Sequence, residues 1–366
     1  MKNSARVMLL FGGQSAEHEV SILSARNVSR ALREAGYDMC HVYITRTGTW
    51  HHVNNMERFA ELSEKERVDS CEAVALARRE EAVQLVRTRD CRSIQRIDVA
   101  FPVLHGPYGE DGTVQGLLKL MDLPFVGAGV TGSAVGMDKD VMNRLLRDGD
   151  VPIPAFLVFD EASRNRIDYD HVSRELGTPL FVKPANLGSS VGISKVDTRE
   201  DFEAAVHSAF RFDRKIIIEE CVHGREIECS VLGNEYPQTS VPGEIKPRHQ
   251  FYSYEAKYVD DRGADLIVPA ELDEATYRRV QELALRSFNV LCCEGLARVD
   301  FFIRENGEVL VNEINTLPGF TNISMYPKLW EATGIPQHEL VDRLIGLALE
   351  RFEKERMLRR ERDLSV

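Results

Sequence analysis

The residues best able to do chemistry are Arg298, Asp300, Glu313 and Asn315, all within the stretch GLARVDFFIRENGEVLVNEINTLPG, Gly295 to Gly319. Two runs rich in Val, Ile and Phe flank Asn306-Gly307. Asn-Gly in that setting predicts a β-hairpin, because both central residues of a type I′ turn need positive φ. With those two residues as the loop, Glu305 faces Glu308, Asp300 faces Glu313 and Arg298 faces Asn315. Side-chain alternation then gathers Arg298, Asp300, Glu313 and Asn315 on one face, with Phe302, Val309 and Val311 nearer the turn. Val299, Phe301, Ile303, Leu310 and Ile314 fall on the other face and should pack on a core. Directly opposed side chains have Cβ atoms about 4.5–5.5 Å apart, where like charges repel. Two facing carboxylates therefore ask for a cation. Three oxygen donors without His or Cys suit a hard ion, Mg²⁺ or Mn²⁺, completed by phosphate oxygens and water. The competing reading is a solvated strand face with ordinary charges, against which the aliphatic residues near the turn weigh.

Composition bounds what such a site could serve. At roughly 150 residues per domain, 366 residues predict two or three domains. A hydrophobic share of 43% and a charged share of 28% suit a globular chain with a substantial core. A formal charge of −12 leaves no basic stripe for a phosphate backbone and argues against nucleic acid as a partner. No apolar run approaches the ~20 residues of a membrane span, and MKNSARVMLLFGG reads as a strand and glycine turn rather than a signal peptide. Seven cysteines without a CxxC suit a reducing, cytoplasmic setting, with thiols rather than disulfides or zinc.

The elements that must position these residues follow in order. Arg6–Phe11 is a buried strand, Gly12-Gly13 a turn and Ser15 the expected N-cap of a helix from about Ala16 to Ala35. Strand, glycine turn and helix form an anion-facing layout, although the spacing is not that of a dinucleotide fingerprint. Residues 38–53 read as a strand pair with a Thr-Gly turn. Residues 54–96 read as a charged, helix-prone surface insertion. The strand Ile97–Leu104 leads into the loop His105–Gly112, placed where open α/β sheets bind ligands. Beyond Val151-Pro152-Ile153-Pro154, the strand Leu180–Val182 ends at Lys183, and Asn186–Gly192 forms a Gly- and Ser-rich loop able to lie over phosphates. Without a Gly-Lys-Ser/Thr ending it is no Walker loop. Residues 242–265, containing FYSYEAKY, read as a long, mostly irregular lid. A helix over Asp273–Leu291 precedes the hairpin, and a last helix from His338 runs out into a charged, solvated tail.

Taken together, FGGQSAEHEVS, LHGPYGEDGT, MDK, VKPANLGSSVG, FYSYEAKY, GLARVDFF and NEINTLPGFTNISMYP, in that order, give a chain that resembles the D-alanine–D-alanine ligases of the ATP-grasp superfamily. The resemblance covers most of the chain apart from residues 54–96 and the tail after Leu349. It implies an α/β fold: an N-terminal doubly wound parallel-sheet domain (1–137), a central ATP-grasp subdomain (138–225) and a C-terminal ATP-grasp subdomain (226–350). The last would carry the lid over 242–265 and the metal hairpin over 295–316, with a charged tail over 351–366.

The family's roles carry over by position. The resemblance makes Asp300, Glu313 and Asn315 ligands of two Mg²⁺ (or Mn²⁺) ions, with Glu313 bridging. It sets Lys139, Lys183, Ser189, Ser190 and Lys257 at the ATP phosphates, Glu219, Glu220, Cys221 and Val222 along the adenine, and Glu226 at the ribose. Glu17 matches the carboxylate that takes the ammonium of the first D-alanine, with Ser189 and Tyr258 as its hydrogen-bonding partners and His105 close by. Arg298 and the Gly319 N–H match the oxyanion donors, and Ser324 and Met325 the segment receiving the second D-alanine carboxylate. The implied reaction converts the first D-alanine to an acyl phosphate with ATP and lets the amine of the second attack it. Metal ions and lysines are needed where two anions meet, and a closing lid keeps water from the acyl phosphate. The family also implies a homodimer.

Three alternatives stand beside this reading. A relative making D-alanyl–D-lactate would depart from the Glu255-Ala256-Lys257-Tyr258 pattern, which is intact. Another ATP-grasp carboxylate–amine ligase would not combine Glu17, Tyr258 and Ser324. A nucleotide-binding regulator without catalysis should have lost a metal ligand or Arg298.

Overall fold

The computed structural model describes residues 5–80, 82–189, 191–248 and 264–358. Ser190, Lys257, Tyr258 and most of the expected lid lie outside them. Three sheets follow one another along the chain. The first has seven strands and is built around Arg6–Gly12, flanked in parallel by Asp38–Ile44 and Val99–Leu104. These runs (VMLLF, VAFPVL) are continuously apolar because both faces of a parallel sheet are covered. Helix His18–Glu34 covers one face with Ile22, Ala25, Val28 and Leu32.

The other four strands of this sheet are antiparallel, and three of them correct the reading of residues 54–96. Only Met56–Ala60 and Glu64–Asp69 are helical there; Glu72–Arg79, Ala82–Arg87 and Ser93–Ile97 extend the sheet. Val74, Val83 and Leu85 feed the core while Arg79 stays outside. An antiparallel sheet with one wet face carries many charges, and those charges made the segment look helical.

The second sheet has four strands, including Leu180–Pro184 and Lys215–Glu220, covered by Tyr169–Leu176 and Arg199–Ala209. The third has six. Its centre is Gly224–Gly233 beside Gly295–Arg304 and Val309–Asn315, with helix Glu274–Val290 behind. Its outer strands, Gly243–Pro247 and Ala264–Ile267, pair antiparallel. Both ends of the segment expected to be irregular are therefore strand.

The central hairpin forms, by a different route from the one its sequence suggests. Gly307 N donates to Arg304 O (2.9 Å) and Arg304 N to Glu308 O (2.9 Å), so the loop is Glu305-Asn306-Gly307. Gly307 sits at φ +86, as a three-residue loop closed by a left-handed glycine requires. The extra loop residue shifts the near pairs to Phe301–Val311, Phe302–Leu310 and Ile303–Val309; an irregularity between Asp300 and Phe301 then restores Asp300–Glu313 and Arg298–Asn315. Asn312 is the residue taken up by this β-bulge. The acid pair stands as expected, but the residues between turn and bulge exchange faces. Val309 and Val311 join Val299, Phe301 and Ile303 in the core, and Leu310 lies opposite Phe302 on the other side.

The last helix, Gln337–Arg356, returns to the first sheet and packs Leu340, Leu344 and Ile345 into the same core as helix His18–Glu34. Arg351, the first residue of the expected solvated tail, is buried. It donates to Gly127 O (2.7 Å) and Phe125 O (2.8 Å), lies over the Phe125 ring and pairs with Glu294. Arg351→Leu should cost about 1–3 kcal/mol in urea unfolding, since it strands two buried carbonyls; an unchanged midpoint would mean that this docking contributes nothing.

Candidate active site

One cavity runs between the three sheets, with Glu17, Lys139, Ser189, Glu226, Arg298, Asp300, Glu313, Asn315, Gly319, Ser324 and Met325 on its walls. The hairpin supplies its floor. Asp300 sits between Glu313 on one neighbouring strand and Glu228 on the other, each directly opposite in register. Three carboxylates in a row would repel one another, and Arg298 answers them. Its guanidinium clasps Asp300 through two bonds of 2.7 Å and lies 2.9 Å from Glu228. Asn315 Nδ2 donates to Asp300 Oδ2 (3.0 Å), and Lys139 Nζ stands 3.8 Å from Glu313.

This donor set fits a hard divalent ion. Two carboxylates and one amide from adjacent strands converge, with no nitrogen or sulfur ligand beside them. Among the described residues no group of three or more His, Cys, Asp and Glu side chains is arranged to hold a metal, so the amide of Asn315 is needed to complete the set. The amide can present Oδ1 by rotation, since its orientation follows the hydrogen-bond network.

The two lysines expected at the ATP phosphates come from two other elements. Lys139 opens helix Lys139–Asp148, whose N-cap Asp138 accepts from Asp140 N and Val141 N (3.1 Å each). Lys215 reaches from the second sheet to Asp138 (2.7 Å) and Asp140 (3.0 Å), fixing where this helix starts. Lys139 Nζ donates to Leu187 O (2.7 Å), beneath the Ser-rich loop. Lys183 is bonded to Glu219 at 2.5 Å. Burial alone would lower its pKa, but Glu219 outweighs that and raises it, so the ammonium is held charged.

Lys183, Glu219 and Glu220 stand on the second sheet, and the charge of Glu313 in the acid row helps raise the Lys183 pKa. Glu219 also receives Asn143 Nδ2 (3.4 Å). The side chain of Glu220 is occupied elsewhere: it accepts from Ala155 N (2.8 Å) and from Arg304 Nη2 (2.6 Å), joining the second sheet to the hairpin. Cys221 and Val222 are half-buried in the turn that follows.

Glu17, not the expected Ser15, occupies the N-cap position of helix His18–Glu34, without a side-chain capping bond, and the Ser15 hydroxyl accepts from Glu17 N (3.1 Å). The buried Glu17 carboxylate accepts from Ser189 Oγ, a contact that ties the Gly- and Ser-rich loop to the first sheet. Gly106 passes close by at φ +75, and a Cβ there would come within 3.0 Å of Glu17 Oε2. His105 is buried and off the cavity wall: Nδ1 meets Leu317 O (3.0 Å) and Nε2 meets Ser24 Oγ (3.3 Å). Ser324 ends the Gly319–Ile323 loop, its hydroxyl accepting from Thr321 N (2.9 Å), at the start of helix Met325–Ala332. The unpaired N–H groups of such a helix start are suited to a carboxylate.

Two charged wall residues were not foreseen. Glu228 was readable in principle, since it stands two residues from Glu226 on a strand whose alternate members Ile227, Cys229 and Val231 are core. Glu110 gave no signal within its polar loop. It accepts from Gly106 N (2.7 Å) and Leu317 N (3.4 Å). Burial, and then the neighbouring Glu17, push its carboxyl up to about 8.

Comparisons with known proteins identify the family. A family model described as "D-ala D-ala ligase N-terminus" matches residues 6–128, and one described as "D-ala D-ala ligase C-terminus" matches 145–346. The first runs through residues 54–96, so the segment set aside as an insertion lies within the family match. A curated D-alanine--D-alanine ligase of Shouchella clausii is 48% identical over 358 residues, 97% of each chain. Among solved structures, the D-alanine-D-alanine ligase from Coxiella burnetii matches with a TM-score of 0.84 and 39% identity over 96% of this chain and 97% of that one. The VanG D-Ala:D-Ser ligase from Enterococcus faecalis matches with a TM-score of 0.84 and 33% identity over 94% and 99%.

The unfolded Glu110 carboxyl titrates near 4.5 and the folded one near 8, so the native state keeps a proton that the unfolded state releases. The stability due to this group is complete below about pH 4.5 and is lost as pH rises toward 8. Glu110→Gln should flatten that decline in unfolding experiments on the ligand-free protein across this range; an unaltered pH slope would contradict the assignment.

Proposed function

The chain belongs to the D-alanine–D-alanine ligase family, and from that membership we propose how its residues share the ATP-dependent joining of two D-alanine molecules. The observation that supports the reading is the single cavity in which Glu17, the acid row of the hairpin and the start of helix Met325–Ala332 face one another. An amino acid, a triphosphate and a second carboxylate would there lie within reach of one another.

Glu17, oriented by Ser189, holds the ammonium of the first D-alanine. Its carboxylate attacks the γ-phosphorus of ATP, giving an acyl phosphate and ADP. Lys139 and Lys183 balance the approaching anions, with the Ser-rich loop over the phosphates, Glu219 to Val222 along the adenine and Glu226 at the ribose. Glu220 and Cys221 contribute there through their backbone, because the Glu220 carboxylate already holds Ala155 and Arg304. Asp300, Glu313 and Asn315 would hold two Mg²⁺ ions. When bound, these neutralise phosphate charge that would otherwise repel the attacking carboxylate.

The second D-alanine docks its carboxylate at Ser324 and Met325. Its amine, once deprotonated, attacks the acyl carbon. Arg298 and the Gly319 N–H receive the tetrahedral oxyanion, and its collapse expels phosphate and leaves D-alanyl-D-alanine, a cell-wall precursor. Tyr258, Lys257 and Ser190 complete the site from the lid and loop. We infer three structural units divided near residues 137 and 225, a homodimer and a cytoplasmic setting, for which the family resemblance is the support.

ADP release should require D-alanine, with L-alanine and D-lactate inactive at neutral pH in a coupled ADP assay. Robust turnover on D-lactate would reverse the choice of nucleophile. Asp300→Asn should abolish turnover with the circular dichroism spectrum unchanged, and a variant retaining most of its rate would refute the metal assignment.

A further inference from the structure

The segment Leu317-Pro318-Gly319-Phe320 follows the metal hairpin, yet the side chains that hold it belong to the first sheet's unit. Leu317 C=O accepts from His105 Nδ1 (3.0 Å), and Leu317 N–H donates to Glu110 (3.4 Å). Phe320 N–H donates to Ser24 Oγ (3.1 Å), and Phe320 C=O accepts from Asn27 Nδ2 (2.9 Å). Pro318 has no N–H. The N–H and C=O of Leu317 and of Phe320 are thus taken, and no partner for the Gly319 N–H occurs among the described residues.

The hydrogen-bond directions are consistent with one another. Because Leu317 C=O can only accept, His105 carries its proton on Nδ1, which leaves Nε2 to accept from Ser24. Burial lowers the His105 pKa, which keeps the ring neutral as this relay requires. Ser24 is fully buried on helix His18–Glu34, one turn from Ser21, which accepts from Gly12 N (2.7 Å). Asn27, one turn further, also reaches Asn322 Oδ1 (3.0 Å). One stripe of the first helix therefore grips first its own sheet and then the loop of the third.

We propose that Ser24, Asn27, His105 and Glu110 are positioning residues that aim the Gly319 N–H into the cavity by fixing the peptides on either side of it. The inference rests on the reading of that N–H as an oxyanion donor. Its consequence is selective. Acyl phosphate formation precedes the need for the donor, whereas amine attack depends on it. With the segment loosened, the acyl phosphate still forms but waits longer for the amine, and water cleaves it to D-alanine and phosphate.

The test measures ADP and dipeptide together for Ser24→Ala, Asn27→Ala, the double variant and Arg298→Met. The two alanine variants should lower the rate of dipeptide formation by about 10–100-fold, the scale of a misplaced catalytic group. More than one ADP should be released per dipeptide, with the KM for ATP unchanged. The double variant should fall by less than the product of the singles, because both hold one residue, Phe320, by its N–H and its C=O. A rate near wild type with one ADP per dipeptide, while Arg298→Met is crippled, would overturn the proposal and leave the oxyanion reading standing. Loss of rate in step with loss of the urea midpoint, still at one ADP per dipeptide, would reduce these residues to ordinary packing and also overturn it. An Arg298→Met enzyme of undiminished rate would instead remove the oxyanion reading beneath it.

Discussion

Like charges set in register across three strands are the constraint on which the rest of the structure depends. Glu228, Asp300 and Glu313 face one another on the third sheet, and a sheet cannot hold such a row unless cations are brought to it. Arg298 comes from the same strand as Asp300; Lys139 comes from a helix that the second sheet holds in place through Lys215. The electrostatic need of one module thus fixes where another must dock. Desolvated charges of this kind stabilise only when every one is paired, which makes the acid row as much a device for alignment as a site for binding.

The same logic extends to the amino-terminal unit. Its first helix offers Glu17 at the start, then Ser21, Ser24 and Asn27 along one stripe. Each polar group meets a partner from a different part of the fold: the phosphate loop, the neighbouring strands, or the segment after the hairpin. Three sheets meet at one cavity because the polar contacts around it are shared between them.

Much of this was legible in the sequence, though not always for the right reason. The facing of Asp300 and Glu313 follows from Asn306-Gly307 only if the loop has two residues. It has three, and the bulge at Asn312 cancels the error. Bulges depend on tertiary packing and leave no mark in local propensity, so Val309, Val311 and Leu310 were given the wrong faces. Strands at 72–97 were hidden because an antiparallel sheet with a wet face carries as much charge as a surface helix. The helix expected over Asp273–Leu291, with a clear cap and an apolar stripe, stands at Glu274–Val290 with Asp273 as its N-cap. Glu110 and Ser24 were unreadable for a different reason: their partners lie on Leu317 and Phe320, far along the chain, and no spacing rule reaches so far.

The packing of helix Gln337–Arg356 against helix His18–Glu34 bears on how the polypeptide matures. Emerging from the ribosome, the first sheet has its parallel strands long before the helix that seals one side of its interior has been made. An exposed apolar surface must then persist through the synthesis of both later modules. Native closure over Arg6–Gly12 and its neighbours awaits Gln337–Arg356, so a stop ahead of that helix would be felt chiefly in the first sheet.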